Sequence, residues 1–285
     1  MSRMKTLVFK NIVFGITATV ALILCTTGVS QAQTLEDIKG IESVHIESDP
    51  PESGKQITVG AGIAVVPDYE GSDYYDAAPL LHFRMAWANG RYLQFNGNSV
   101  EFNIMKDSNW SIGPMVGVRG KRDDDVEDNQ VSRMEEVDTS VELGCFVAYN
   151  LGENFEIGAN FVQDVADGHD GYLVGMHVGY AVHRDKTMVA LKASTTYVNN
   201  DYMEAYFSVN HSNVGSAQLR GYDADKGFKD VGVTCVISYQ FNDSWGATGV
   251  LGYTRLIGDA EDSPLVDDRG DANQFLGGIM GIYRF

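Results

Sequence analysis

Apolar and polar residues alternate with a period of two along most of this chain, and that alternation restricts its fold more than any other feature. In "VDTSVELGCFVAYNL", Val137, Thr139, Val141, Leu143, Cys145, Val147, Tyr149 and Leu151 share one side, against Asp138, Ser140, Glu142, Gly144, Phe146, Ala148 and Asn150. A strand turns successive side chains to opposite faces, so the run is a strand with one oily and one more polar face. "GYLVGMHVGYAVH" and "VGVTCVISYQF" repeat the pattern, as do "QITVGAGIAVV" and "PLLHFRMAW". The final run, "FLGGIMGIYRF", carries it to the last residue, with Phe275, Ile279, Tyr283 and Phe285 on one face. No helical period of comparable length competes with it, and the chain reads as all-β.

The connections separate a soluble sandwich from a closed barrel. Short ones occur at Asn89–Gly90, Lys106–Asn109, Gly152–Asn154, His183–Lys186 and Asn242–Ser244. Long acidic ones occur at "PDYEGSDYYDAA", "KRDDDVEDNQVSRMEE", "DVADGHD", 199–229 and "GDAEDSPLVDDRGDAN". Tight turns at one end and long loops at the other are what a membrane barrel shows. With "RYLQFN" and "SVEFNIM" as two strands turning at Asn96–Asn98, the strands fall near 55–66, 79–88, 91–96, 99–105, 109–120, 136–151, 154–164, 170–184, 187–198, 229–242, 245–257 and 274–285. That predicts an antiparallel transmembrane β-barrel of about twelve strands, with both chain ends on the short-turn side. A strand of this length, tilted by about 40°, rises about 25 Å, the height of the apolar band of such barrels.

Composition agrees without deciding. The mean hydropathy of -0.15 resembles a soluble protein's, as expected when half of each strand faces a polar interior. A basic start, the apolar "NIVFGITATVALILC" and the small residues Ser30–Ala32 predict a cleaved signal peptide over 1–32. An acidic, aperiodic stretch over 33–54 reads as a flexible periplasmic tail before a barrel over 55–285. Losing Arg3, Lys5 and Lys10 takes the formal charge from -18 to -21, which argues against a nucleic-acid surface. Cys145 and Cys235 fall on outward faces of separate strands, so no disulfide is expected.

The inward charges say most about the interior. His82, Arg84, Glu101, Arg119, Asp138, Glu142, Glu156, His177 and Lys192 all fall on lumen-facing positions. They are costly in a dry core and tolerable in a wet or fully networked one. Two readings stay open: a narrow water-filled pore, or a plug of salt bridges. The acidic loops lack calcium-loop spacing, and the glycines of "GAGIAVVPDYEGSD" precede no helix that would make a phosphate loop. His169 and His211, with Ser72, Ser212, Ser216 and Ser263, lie in loops without a nucleophile motif. No catalytic residue, metal or cofactor is expected.

Several stretches are similar to the MipA/OmpV family of outer-membrane proteins, the MltA-interacting proteins. They are "GAGIAVVPDYEGSDYYDAAPL", "YMEAYFSV", "LRGYDADKGFKDVGV", "YTRLIGDAEDSPLV" and the terminal "YRF". The resemblance implies a barrel in the outer membrane, among its lipid and lipopolysaccharide. It also implies, from some members, a scaffold role between a lytic transglycosylase and a penicillin-binding protein, and from others a porin- or adhesin-like role. Tyr283 and Phe285 resemble the assembly signal read by the barrel insertion machinery. The leading expectation is a scaffold in murein organisation; a small channel for polar solutes is the alternative, and an outer-membrane hydrolase comes third.

Overall fold

In the computed structural model, which describes residues 51–107 and 109–285, twelve antiparallel strands close into a barrel. They are β1 (Lys55–Pro67), β2 (Tyr75–Trp87), β3 (Tyr92–Asn96), β4 (Ser99–Asn103), β5 (Trp110–Arg119), β6 (Ser140–Leu151), β7 (Phe155–Asp164), β8 (Tyr172–Arg184), β9 (Thr187–Val198), β10 (Gly227–Gln240), β11 (Trp245–Leu256) and β12 (Asn273–Arg284). Each pairs with its sequence neighbours, and β12 closes on β1 from Thr58↔Arg284 to Val65↔Gly277. The expected signal peptide, 1–32, and the tail as far as residue 50 lie outside the described residues.

Two boundaries differ from the sequence reading by more than two residues. β2 starts at Tyr75 because Tyr75–Ala78 pair with Pro67–Ala64, so ladder bonding extends the strand into a polar stretch. β6 starts at Ser140, which leaves Asp138 exposed in the preceding connection instead of in the lumen. The loops also hold short helices that strand periodicity does not reveal: α1 (Asn200–Phe207), α2 (His211–Ala217) and α3 (Pro264–Asp267).

The outward faces are apolar. Ile63, Leu143, Ile157, Val178, Leu191, Val233, Leu251 and Ile279 are all exposed. Aromatic pairs flank them at both ends: Trp110–Tyr149, Phe155–Tyr180 and Trp245–Tyr283 on the short-turn side, Tyr197–Phe228 and Tyr253–Phe275 on the loop side. An aliphatic band between two aromatic girdles is the surface of a barrel bathed in lipid. Cys145 is exposed and Cys235 half-buried, and both are free thiols.

The interior divides in two. On one side Ala64, Leu80, Ala190, Val236, Val250 and Met280 pack into a dry apolar cluster. The charged inward residues occupy the other side, from β2 through β9. The cluster spans six neighbouring strands of the wall, β2, β1, β12, β11, β10 and β9, whose inward apolar residues leave water by packing on one another.

Candidate functional site

Helix α1 closes the loop-side mouth. Asn199 caps it, its side chain accepting the Tyr202 N–H, and Tyr202, Met203, Tyr206 and Phe207 recur at helical spacing, all buried. At the other end Arg122 donates to the carbonyls of Tyr206 (3.0 Å) and Ala205 (3.3 Å), and Ser263 to that of Phe207 (2.6 Å). The last carbonyls of the helix are thus satisfied by side chains of two other loops.

Beneath the helix a charged cluster ties the plug to the wall. Arg119 donates to both Glu142 oxygens at 2.9 and 3.4 Å, and its guanidinium lies 5.3 Å from the Tyr202 ring centre. His169 stands edge-on to Tyr202 and shares Glu142 at 2.9 Å through Nε2. Its Nδ1 accepts the Gly171 N–H at 3.0 Å. With Nδ1 as that acceptor, Nε2 is the ring nitrogen that donates to the carboxylate. On the opposite side Tyr202 Oη donates to Glu70 at 2.8 Å, and Lys229 bridges Glu70 and Asp230. Every charge sits beside its opposite, which a buried site requires.

The predicted interior residues fall into three groups. Glu101, Arg119, Glu142, Glu156, His177 and Lys192 line one internal cavity. His82 and Arg84 are buried beside it, bonded to Asn96 (2.6 Å) and Gln94 (2.5 Å), with the Arg84 guanidinium 4.0 Å from the Tyr92 ring centre. Asp138 belongs to neither. Strand phase does not reach Glu70, His169 and Tyr202, which come from connections, and it misdirects Lys229, which sits at the register shift of β10 between Phe228 and Asp230. At the chain end, the Phe285 N–H donates to the Ile57 carbonyl at 2.9 Å, and its ring packs edge-on against Tyr283.

Above the mouth the loops build a second small core from Tyr69, Val126, Val131, Val209, Leu219 and Leu265. Acidic residues outnumber basic ones in every long loop-side connection between described strands. Burial, reinforced by the neighbouring Asp76, raises the Asp68 carboxyl to about 6 against the pull of the Glu127 N–H. Burial also acts on Asp128, but the Arg269 guanidinium and the N–H groups of Val131 and Gln130 outweigh it and hold that carboxyl below its usual range. The loop histidines and serines do not form a relay. His169 commits its nitrogens to Glu142 and Gly171, Ser212 Oγ lies 2.6 Å from Glu135 and 2.7 Å from Asn210 with its one proton for either, and Ser263 serves α1.

The family model for MltA-interacting protein MipA matches residues 59–285, the whole barrel beyond the first turns of β1. The chain belongs to the MipA family. Among its relatives, Omp26La, an outer membrane protein of Vibrio anguillarum, is 27% identical over 175 residues, covering 61% of this chain and 66% of that protein. OmpV, an outer membrane protein of Vibrio cholerae serotype O1, is 29% identical over 176 residues with the same coverage. The chain therefore spans just under two thirds of the length of these relatives. Remote structural neighbours include the KdgM porin, with a TM-score of 0.43 and 10% identity over 80% of this chain and 99% of that one. An outer membrane channel from Pseudomonas putida F1 has a TM-score of 0.41 and 14% identity over 84% and 100%. This MipA-family chain is an antiparallel β-barrel of the outer membrane, with its short turns toward the periplasm and its long loops outside.

Proposed function

We propose that this protein is a non-conducting scaffold of the outer membrane, presenting its periplasmic face to murein enzymes. The observation that carries the reading is the closed mouth. Tyr202, Met203, Tyr206 and Phe207 fill it, the Arg119–Glu142–His169 cluster anchors them, and half of the lumen beneath is apolar core. A solute path needs a continuous wetted bore, whereas a scaffold needs only a stiff cylinder with an accessible end. The family's name describes a protein that interacts with MltA, and a lytic transglycosylase is the partner proposed here, with a penicillin-binding protein as its companion. The tail over 33–54 is proposed as a docking arm, since it precedes β1 on the periplasmic side.

Two measurements test this. In planar bilayers the purified barrel should give no steady current; a stable open level would overturn the scaffold reading in favour of a small channel. Pull-down from envelope extracts should recover a lytic transglycosylase. Deleting 33–54 should reduce that recovery, and unchanged recovery would remove the tail from the proposal.

A further inference from the structure

Under the plug, the charged side of the lumen encloses a cavity of about 70 Å³ between β3 and β9. Its outer end is closed: Val162 and Asp164 on β7 and Leu173 on β8 are buried beneath α1. Toward the periplasm the same two faces open. Asn160, Gly158 and Glu156 on β7, and Gly175, His177 and Gly179 on β8, are partly exposed, the side chains of Glu156 and His177 at 13% and 12%, and His183 at the rim is exposed. The cavity is therefore a blind pocket with a periplasmic entrance.

Glycines hollow this pocket. In the β7–β8 register Gly158 stands opposite His177, Gly175 opposite Asn160, and Gly179 opposite Glu156. A Cβ on Gly158 would overlap the His177 ring, and one on Gly175 would overlap the Asn160 amide. These two side chains lie back over bare backbone instead of crossing the bore. The glycines thus preserve a space that larger residues at the same positions would fill.

Lining and size together define a ligand. The charged groups that line the cavity are already engaged, Glu142 with Arg119 at 2.9 Å and Glu156 with His177 at 3.3 Å, and neither Glu101 nor Lys192 is without a partner. A ligand with net charge would bring one uncompensated charge into a poorly solvated site. Amide groups of Gln94 and Asn160 and apolar surface from Met115, Phe146 and Leu173 face the cavity. An apolar cavity of about 150 Å³ holds the six carbons of benzene, so this one admits about three heavy atoms, the acyl carbon, oxygen and methyl of an acetyl group. We propose that the pocket binds an uncharged N-acetyl group entering from the periplasm, its amide meeting Asn160 and its methyl the apolar wall. N-acetylated sugars and N-acylated peptide ends both carry that chemistry. This goes beyond the scaffold reading and does not depend on it.

The test is saturation-transfer NMR on the detergent-solubilised full chain with three probes: N-acetylglucosamine, N-acetylalanine amide and glucosamine. Transfer should appear at the acetyl methyl of one or both N-acetyl probes, and which of them responds identifies the source. Glucosamine, cationic and without the acetyl group, should give none. Gly179→Leu should abolish transfer, because the nearest atoms to a Cβ there are Glu156 Cβ at 3.8 Å and Leu191 O at 3.9 Å, leaving room for a side chain that blocks the entrance. Asn160→Leu should weaken binding about tenfold, the equivalent of one lost hydrogen bond. Heat-modifiable migration of both variants checks that the barrel has formed. Silence from both N-acetyl probes, equal transfer from glucosamine, or undiminished transfer in folded Gly179→Leu would overturn the proposal.

Discussion

Glu142 is where the chemistry of the plug converges, since one carboxylate serves both Arg119 and His169 with no side-chain exposure. Glu142→Ala would leave the Arg119 guanidinium buried without that carboxylate, and breaking such a pair costs about 3–5 kcal/mol. Urea unfolding in lipid or detergent should show a loss of that order; a change under about 1 kcal/mol would mean that the pair behaves like an exposed one. Glu142 was legible in the sequence because strand phase fixes direction inside a strand. Asp138, four residues earlier with the same parity, was misplaced because the strand begins after it. In the loop cap, Asp68 and Asp128 give opposite pH signs. A carboxyl raised to about 6 binds its proton more tightly folded than unfolded, so the cap loses stability as pH rises from about 4 to 6. Asp128, depressed by Arg269, contributes stability above its ordinary value that is lost as the solution becomes more acidic. Protease resistance of the outer loops should therefore be higher at pH 5 than at pH 8. Asp68→Asn, which cannot ionise, should flatten that difference; an unchanged profile would rule out Asp68 as its source.

Strands and helices were not equally readable. Ten or more alternating residues leave no other period, so most strands are where the sequence places them. Helix α1 has only eight residues, yet its signal was present: an Asn cap followed by Tyr202/Tyr206 and Met203/Phe207, each pair one helical turn apart. Two turns of helix are too short to stand out against the strand pattern on either side. The short hairpin β3–β4 has a consequence visible only in the register. β3 pairs with His82–Ala86 alone, whereas β1 pairs with all of β2, so Tyr75–Leu80 have no strand on their other side among the described residues. The bonds of Leu81 to Gly97 and of Trp87 to Arg91 show that odd-numbered residues of β2 direct their backbone groups to that side. Pro79 is among them, and it has no N–H to offer. On β5, Pro114 likewise faces β4, between Ile112, bonded to Ile104, and Val118, bonded to Asn98. Proline at an open edge discourages pairing with another sheet. Pro79→Thr, which restores the donor, should yield dimers on unheated gels where the parent barrel runs as a monomer; monomeric migration of the variant would mean that the edge is protected by something else.

Across the whole molecule, one seam decides whether twelve strands become a barrel. The other strand pairings join neighbours in sequence and can form locally, but β1 and β12 come from opposite ends of the described chain. Until they meet, both are edges with open hydrogen-bonding groups, which a lipid interior does not tolerate. The last residue completes the seam: the Phe285 N–H donates to Ile57, and Trp245, Tyr283 and Phe285 form a continuous aromatic contact at the periplasmic girdle. Such rings favour the membrane interface, where their apolar bodies leave water while the chain end stays wet. Phe285 is also the most exposed of the large apolar side chains among the described residues, at 73%, so its removal opens no cavity in the lumen. Deleting it should therefore act on insertion and closure more than on the stability of barrels already closed. The expected result is accumulation of periplasmic, protease-sensitive chain in cells, while the same variant refolded in detergent regains most of its heat-modifiable form. Normal heat-modifiable migration of the variant in the outer membrane would separate the terminal ring from assembly and leave the β1–β12 ladder, from Thr58↔Arg284 to Val65↔Gly277, to hold the seam.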